Sequence, residues 1–113
     1  MSDLTSKKCV PCSIGAIPLN SDEIQKLLKD LNQNWKVKDD KQIEREFKFK
    51  NFQEALGFTN RVGAVAEEEG HHPDICLTWG KVTVQFWTHK IEGLHENDFI
   101  MAAKTDTLYE SLS

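Results

Sequence analysis

The sequence lacks long hydrophobic runs, basic stripes and an even number of cysteines. No stretch of its 113 residues approaches the roughly 18 consecutive apolar residues of a membrane span, and the start of the chain lacks the apolar segment of a signal peptide. Acidic side chains outnumber basic ones by 18 to 14, and no Lys/Arg-rich stretch could neutralise a row of phosphates. These absences predict a cytoplasmic protein that binds neither membranes nor nucleic acid.

The three cysteines predict a reducing compartment rather than a disulfide framework, because an odd number cannot all pair. Cys9 and Cys12 form a C-x-x-C motif, but no second pair completes four zinc ligands and no strand precedes the motif as in a thioredoxin-like site. Cys76 alternates within a predicted strand and is expected to be a small core residue. We therefore expect no essential function for the C-x-x-C motif.

The length of 113 residues fits one folded domain, predicted at residues 21–113 behind an N-terminal tail at residues 1–20. A first helix is expected to begin with Ser21 as its cap. The longest helix is predicted to begin after Asn51, which opens a capping-box pattern, and to end at Gly70.

Alternating apolar and polar residues predict two hairpins, one at residues 35–50 with its turn near Asp39 and Asp40, and one at residues 74–89. A closing helix is predicted at residues 95–112. The order αββαββα predicts an α+β fold, in which three helices pack on one face of a four-stranded antiparallel sheet.

The long helix carries more apolar surface than one sheet can cover, because Phe58 and Val65 widen an apolar stripe. The stripe consists of Phe52, Ala55, Leu56, Thr59, Val62, Gly63 and Ala66. This excess predicts a homodimer or homotetramer.

Three of the four histidines lie close together in the sequence, at His71, His72 and His89. Glu67 precedes His71 by four residues, so the two side chains are expected to point the same way on the helix. His89 follows at the end of the last strand. Trp79 and Trp87 could provide the flat aromatic wall of a pocket that contains these residues. The spacing therefore predicts a pocket with several imidazoles and a carboxylate.

Imidazole can donate and accept a proton near neutral pH, so such a pocket suits a dehydration, which protonates a hydroxyl and deprotonates the neighbouring atom. No cofactor is needed for that chemistry. Simpler roles stay open: histidines at a helix end can interact with its dipole, the tryptophans can pack in a core or interface, and Asp98 can be the capping carboxylate of the last helix. Zinc or iron binding is disfavoured because no H-x-x-x-H pair is present.

The spaced residues resemble the pterin-4a-carbinolamine dehydratase family in its bacterial form. The resemblance extends from residue 34 to the last helix and is weakest before residue 30. The pattern consists of Glu67, three residues, His71-His72-Pro73, five residues, Trp79, nine residues, His89, eight residues and Asp98.

This resemblance implies dehydration of a 4a-hydroxytetrahydropterin to a quinonoid dihydropterin, in the recycling of the pterin cofactor of aromatic amino-acid hydroxylases. Animal members also act as dimerisation cofactors of a homeodomain transcription factor, so the alternative is a non-enzymatic regulatory binding module. The resemblance also implies that His71, His72 and His89 are catalytic. The residues that it implies for substrate binding are Glu67, Trp35, Thr88, Trp79 and Asp98, with backbone beside His72 and Thr88 holding the pterin ring. It implies no metal.

Overall fold

The computed structural model describes residues 4–7, 9 and 17–112, so Cys12 lies outside the described residues. The predicted α+β class and the order of helices and strands are confirmed. The elements are α1 (Ser21–Leu28), β1 (Lys36–Lys38), β2 (Gln42–Lys48), α2 (Phe52–Glu69), β3 (Asp74–Thr78), β4 (Lys81–Phe86) and α3 (Glu96–Glu110), with short 3₁₀ turns at Leu4–Ser6 and His89–Ile91.

The four strands form one antiparallel sheet in the order β1-β2-β4-β3, so the two hairpins join through β2 and β4. Asp39 and Asp40 both adopt positive φ angles, of 53° and 54°, in the turn between β1 and β2. The N–H of Lys41 donates to the C=O of Lys38 at 2.9 Å and closes that turn. The predicted position of this turn is confirmed.

The helices cover the face of the sheet that carries Ile43, Phe47, Val82, Val84 and Phe86, all of which are buried. The opposite face is polar and open, which makes the sheet wet on one side.

Cys76 lies on the open face, and the expectation that it is a core residue was wrong. It pairs with Thr83 and is exposed, whereas its neighbours Ile75 and Leu77 pair with the buried Val84 and Val82. Because side chains alternate along a strand, the inward position of Ile75 and Leu77 places Cys76 outward.

The helix ends follow the predicted capping signals with one shift. Asn20, not Ser21, caps α1, in a capping box with Glu23, and Asn51 caps α2 as predicted. Gly70 ends α2 at φ 68°, the left-handed conformation that glycine adopts without penalty. This turn takes the chain off the helical path immediately before the two adjacent histidines.

A charged pair not predicted from the sequence is buried between β2 and α3. The Arg45 Nη1 atom donates to Asp106 Oδ1 at 2.6 Å, and Trp35 Nε1 donates to the same carboxylate at 2.8 Å and 2.9 Å. Burial raises the pKa of the Asp106 carboxyl, while the bonds from Trp35 and Arg45 act in the opposite direction. Removing one partner of such a pair typically destabilises a fold by about 3–5 kcal/mol.

The described part of the predicted N-terminal tail packs on the domain. Leu4 is buried in the core and lies in a 3₁₀ turn against α3, and Lys7 forms an ion pair with Glu96 at 3.0 Å. Among the described residues, no helix is both long and apolar enough to cross a membrane.

Candidate active site

The two adjacent histidines occupy the short connection between α2 and β3. The N–H groups of Gly70 and His71 both donate to the C=O of Ala66, which tightens the end of the helix. Because Gly70 redirects the backbone, His71 does not extend the helical face of Glu67. Glu67 and His71, which were expected to point the same way, have different partners: Glu67 contacts His72, and Asp98 contacts His71.

His71 is held by a fully buried carboxylate. Its Nε2 atom lies 2.6 Å from Asp98 Oδ1, while Asp98 Oδ2 accepts hydrogen bonds from the Thr88 hydroxyl at 2.8 Å and from the His95 N–H at 2.9 Å. An ionised carboxylate only accepts, so Nε2 of His71 carries a hydrogen and Nδ1 is the free nitrogen of the neutral ring. Asp98 therefore fixes both the position and the tautomer of His71.

Asp98 also caps α3, as the alternative reading of the sequence allowed. It is the third residue of that helix and accepts from the backbone of His95, whose own side chain accepts from the Asn97 N–H at 3.0 Å. One carboxylate thus performs both the capping role and the contact with His71.

His72 forms an exposed pair with a carboxylate of the preceding helix. Its Nε2 atom lies 2.5 Å from Glu67 Oε1, and both side chains are largely open to solvent. This arrangement leaves His72 accessible, with a carboxylate beside its ring.

His89 lies beyond the end of β4 against an indole ring. The rings of His89 and Trp87 have centroids 3.9 Å apart, and Trp87 Nε1 donates to Asp74 Oδ2 at 3.2 Å. Asp74 was not among the predicted site residues, although its position one residue after the His-His-Pro motif was available as a signal.

The segment from Trp87 to His89 links the three histidines. Thr88 contacts the carboxylate that holds His71, and Trp87 contacts Asp74, which lies two residues after His72. The chain therefore brings His71, His72 and His89 into one neighbourhood at the end of α2. We call these three residues and Asp98 the histidine cluster.

Trp79 is not part of this neighbourhood in the single chain. It lies in the turn between β3 and β4 and is 68% exposed, whereas Trp87 lies at the opposite end of β4. Trp79 lies five positions along the chain from Asp74, or about 16 Å at the usual rise per residue of a strand. Only Trp87, of the two tryptophans expected in the aromatic wall, contacts a histidine here.

Trp35 and Thr88 have structural partners that differ from their expected contacts with a pterin. Trp35 is buried in the core, packs against Phe86 and donates to Asp106, two turns of α3 beyond Asp98. The backbone N–H and C=O of Thr88 are both bonded within its own loop, to Gly93. Thr88 reaches the histidine cluster through its hydroxyl.

Cys9 lies beside the same end of the molecule. Its N–H donates to Glu69 Oε1 at 2.8 Å, and its Sγ lies 3.7 Å from the C=O of Asn97. Burial, followed by the charge of Glu69, raises the pKa of this thiol to about 11. Within residues 4–7, 9 and 17–112, no three histidine, cysteine or carboxylate side chains are grouped as metal ligands.

Comparison with known proteins places this arrangement in a family. The sequence model of the family described as Pterin 4 alpha carbinolamine dehydratase matches residues 17–108. A protein of Alkaliphilus metalliredigens, named as a candidate pterin-4-alpha-carbinolamine dehydratase, is 58% identical over 106 residues, which cover 94% of this chain and 96% of the relative.

Two solved structures have the same fold. The crystal structure of a transcriptional coactivator/pterin dehydratase from Brucella melitensis superposes with a TM-score of 0.76 at 33% identity, covering 81% of this chain and 98% of the other. A pterin dehydratase-like protein identified as a RuBisCO assembly factor in the alpha-carboxysome has a TM-score of 0.59 at 21% identity, over 69% and 92% of the chains, which shows the fold alone. The family model matches far more than half of the present sequence, and the Alkaliphilus relative is 58% identical to it. This chain therefore belongs to the pterin 4 alpha carbinolamine dehydratase family.

Proposed function

We propose that the protein catalyses the dehydration of a 4a-hydroxytetrahydropterin to a quinonoid dihydropterin and water. The C4a–O bond breaks, the N5–H bond breaks and a C4a=N5 double bond forms. One proton joins the departing hydroxyl and one leaves N5, so the reaction needs an acid and a base but no net change in protons or electrons. Imidazoles on one surface can supply both groups near neutral pH.

We divide the two roles between His72 and His89. His72 is open to solvent and its Nε2 atom contacts the Glu67 carboxylate, so we assign His72 as the acid that protonates the C4a hydroxyl. We assign His89, which is exposed and lies against the indole ring of Trp87, as the imidazole that accepts the N5 proton. The flat face of Trp87 is also suited to contact a flat pterin ring.

In this mechanism His71 contacts the substrate as a catalytic residue, and Asp98 positions it. Asp98 is fully buried and holds Nε2 of His71, so Nδ1 is the nitrogen left to bind the substrate hydroxyl. We assign Asp98 to orienting His71 and Thr88 to orienting Asp98, rather than to direct pterin contact. The single observation that carries the proposal is this buried Asp98–His71 contact beside two exposed histidines.

The proposal includes a cellular setting. The substrate is of the kind left by an aromatic amino-acid hydroxylase, so the protein would act in the cytoplasm in recycling a pterin cofactor, as a homodimer or homotetramer. Proton transfer by imidazole supplies the acid and base, so no metal or organic cofactor is required in this mechanism.

The proposal is tested by following the dehydration of freshly generated 4a-hydroxytetrahydropterin with and without the protein. We expect acceleration beyond the spontaneous rate, retained after exhaustive chelation of the enzyme. No acceleration would contradict the proposed activity. Activity lost on chelation and restored by zinc would contradict the imidazole mechanism but retain the activity.

A further inference from the structure

A second cleft lies away from the histidine cluster, between the end of β2, the first half of α2 and the end of α3. Its volume is about 780 Å³. Arg61 and Tyr109 line it. Arg61 lies 10 residues before His71 in the chain, and Tyr109 lies 11 residues after Asp98 on α3. At 1.5 Å per residue this separation is about 15 Å, so the cleft is distinct from the histidine cluster.

The cleft is locally basic in a chain whose formal net charge is -4. Arg45, Lys48, Lys50 and Arg61 line it. Asp106 offsets Arg45, and Lys50 pairs with Glu54 at 3.4 Å. Lys48 and Arg61 have no carboxylate partner among the described residues, and one further carboxylate, Glu110, lines the cleft.

A buried donor adds a second and independent observation. The Arg45 side chain is only 7% exposed, and its Nε atom has no hydrogen-bond partner among the described residues. Its Nη1 atom bonds to Asp106, and the guanidinium lies over the Phe47 and Tyr109 rings at 4.4 Å and 5.3 Å. A buried, unpaired N–H costs free energy, so the Arg45 guanidinium at the wall of the cleft has unused hydrogen-bonding capacity.

Three aromatic side chains also line the cleft, namely Phe49, Phe58 and Tyr109. The Tyr109 hydroxyl donates to the C=O of Lys48 at 2.9 Å, and the Tyr109 ring contacts Phe49 and Phe58 edge-on. These rings give the cleft an apolar wall beside its cations. Such a combination favours a ligand with a charged end and a flat apolar body.

The α2 residues that line the cleft and the exposed apolar residues of α2 lie on different flanks of the helix. At about 100° per residue, Glu54, Gly57 and Arg61 lie on one flank of the helix, while Phe52 and Leu56 lie on the other. Gly57 contributes no side chain to the cleft, and a Cβ added there would meet no atom within 4 Å.

We propose that this cleft binds a small organic anion with an aromatic ring. Its carboxylate or phosphate accepts hydrogen bonds from Arg45 and is paired with Lys48 and Arg61, and its ring lies against Tyr109 and Phe49. The carboxylate and phosphate forms share this chemistry, and the test separates them.

The test is an NMR titration of the ¹⁵N-labelled full chain that follows the Arg45 Nε–H signal and the backbone amide of Gly57. Phenyl phosphate and benzoate are the two anionic probes, and phenol and inorganic phosphate are the single-feature controls. We expect saturable shifts at these two positions with at least one anionic probe, and the stronger probe identifies the preferred acid group. Phenol and inorganic phosphate should each bind at least about tenfold more weakly, a difference of about 1.4 kcal/mol.

Two matched pairs of variants localise the binding. Lys48→Glu with Arg61→Glu should weaken it at least tenfold, whereas Lys26→Glu with Lys41→Glu, which makes the same charge change outside the cleft, should not. Gly57→Phe should block binding and Gly57→Ala should preserve it. Absence of saturable shifts, equal binding of phenol, or equal weakening by the control double variant would overturn the proposal.

Discussion

The Nε2 atom of His71 lies 2.6 Å from Oδ1 of Asp98, a contact that joins the end of α2 to the start of α3. The carboxylate is fully buried and also accepts from a hydroxyl and a backbone N–H, so its position is fixed by three donors. A conservative change of Asp98 should therefore alter the orientation of His71 without unfolding the chain.

Asp98→Asn should lower the rate of pterin dehydration at least tenfold with little loss of folded protein. The amide oxygen can still accept from His95 and Thr88, but an amide nitrogen facing His71 would reverse the hydrogen-bond direction and favour the other tautomer. Turnover, its pH profile and the ¹⁵N shifts of the His71 ring are the measurements. Thr88→Val, which removes only one donor to Asp98, is the matched control with a smaller effect. Unchanged ring shifts and turnover within twofold in Asp98→Asn would refute the positioning role.

His95→Ala should reduce stability rather than turnover. The His95 side chain caps α3 through Asn97, and loss of a helix cap typically costs about 0.5–2 kcal/mol. Urea unfolding measures the stability change, and His95→Asn, which can retain the cap, should recover most of it. A tenfold loss of turnover in stable His95→Asn would instead place His95 in the chemistry.

The capping pattern and strand alternation allowed most of the fold to be predicted, because these signals are local. Gly70 marked the end of α2, and Asp39 and Asp40 marked the first turn. Ser21 and Asn20 are both good caps, so the sequence could not decide between them. Cys76 was misplaced because its burial depends on which face of β3 meets the helices.

The site was less predictable because its contacts join distant segments. The spacing of Glu67 and His71 predicted side chains that point the same way, but each has a different partner after the Gly70 turn. Arg45 alternates inward with Ile43 and Phe47, which was a usable signal for burial. Its partner Asp106 is 61 residues away, and only the folded chain brings the two together.

Leu56→Glu should convert an oligomer to a monomer at micromolar concentration. Phe52 and Leu56 are 44% and 40% exposed on α2, and an oligomer would bury them. Light scattering measures the mass, and Ile17→Glu is a control for a new charge at an exposed apolar residue outside α2. A wild-type monomer, or a Leu56→Glu variant that keeps the oligomer, would argue against this interface.

Cys9 should react with iodoacetamide more slowly than Cys76 near pH 8. Burial raises the pKa of the Cys9 thiol to about 11, so little thiolate is present at that pH, whereas Cys76 is exposed. The labelling rate of Cys9 should rise as the pH approaches about 11. Mass spectrometry of the Cys12→Ser variant distinguishes the two sites. Faster labelling of Cys9 at pH 8 would show that the thiol is more accessible or more acidic than this structure indicates.

The division of proton transfer between His72 and His89 is the central claim, and turnover of the His72→Ala, His89→Ala double variant tests it most directly. Positioned acid and base groups contribute roughly 10²- to 10⁴-fold, so each single variant should lose at least tenfold once the spontaneous dehydration rate is subtracted. The double variant should lose less than the product of the two, because the residues act as a unit. Near-wild-type turnover in the double variant, with its fold verified by circular dichroism, would contradict the assignment of these histidines as acid and base.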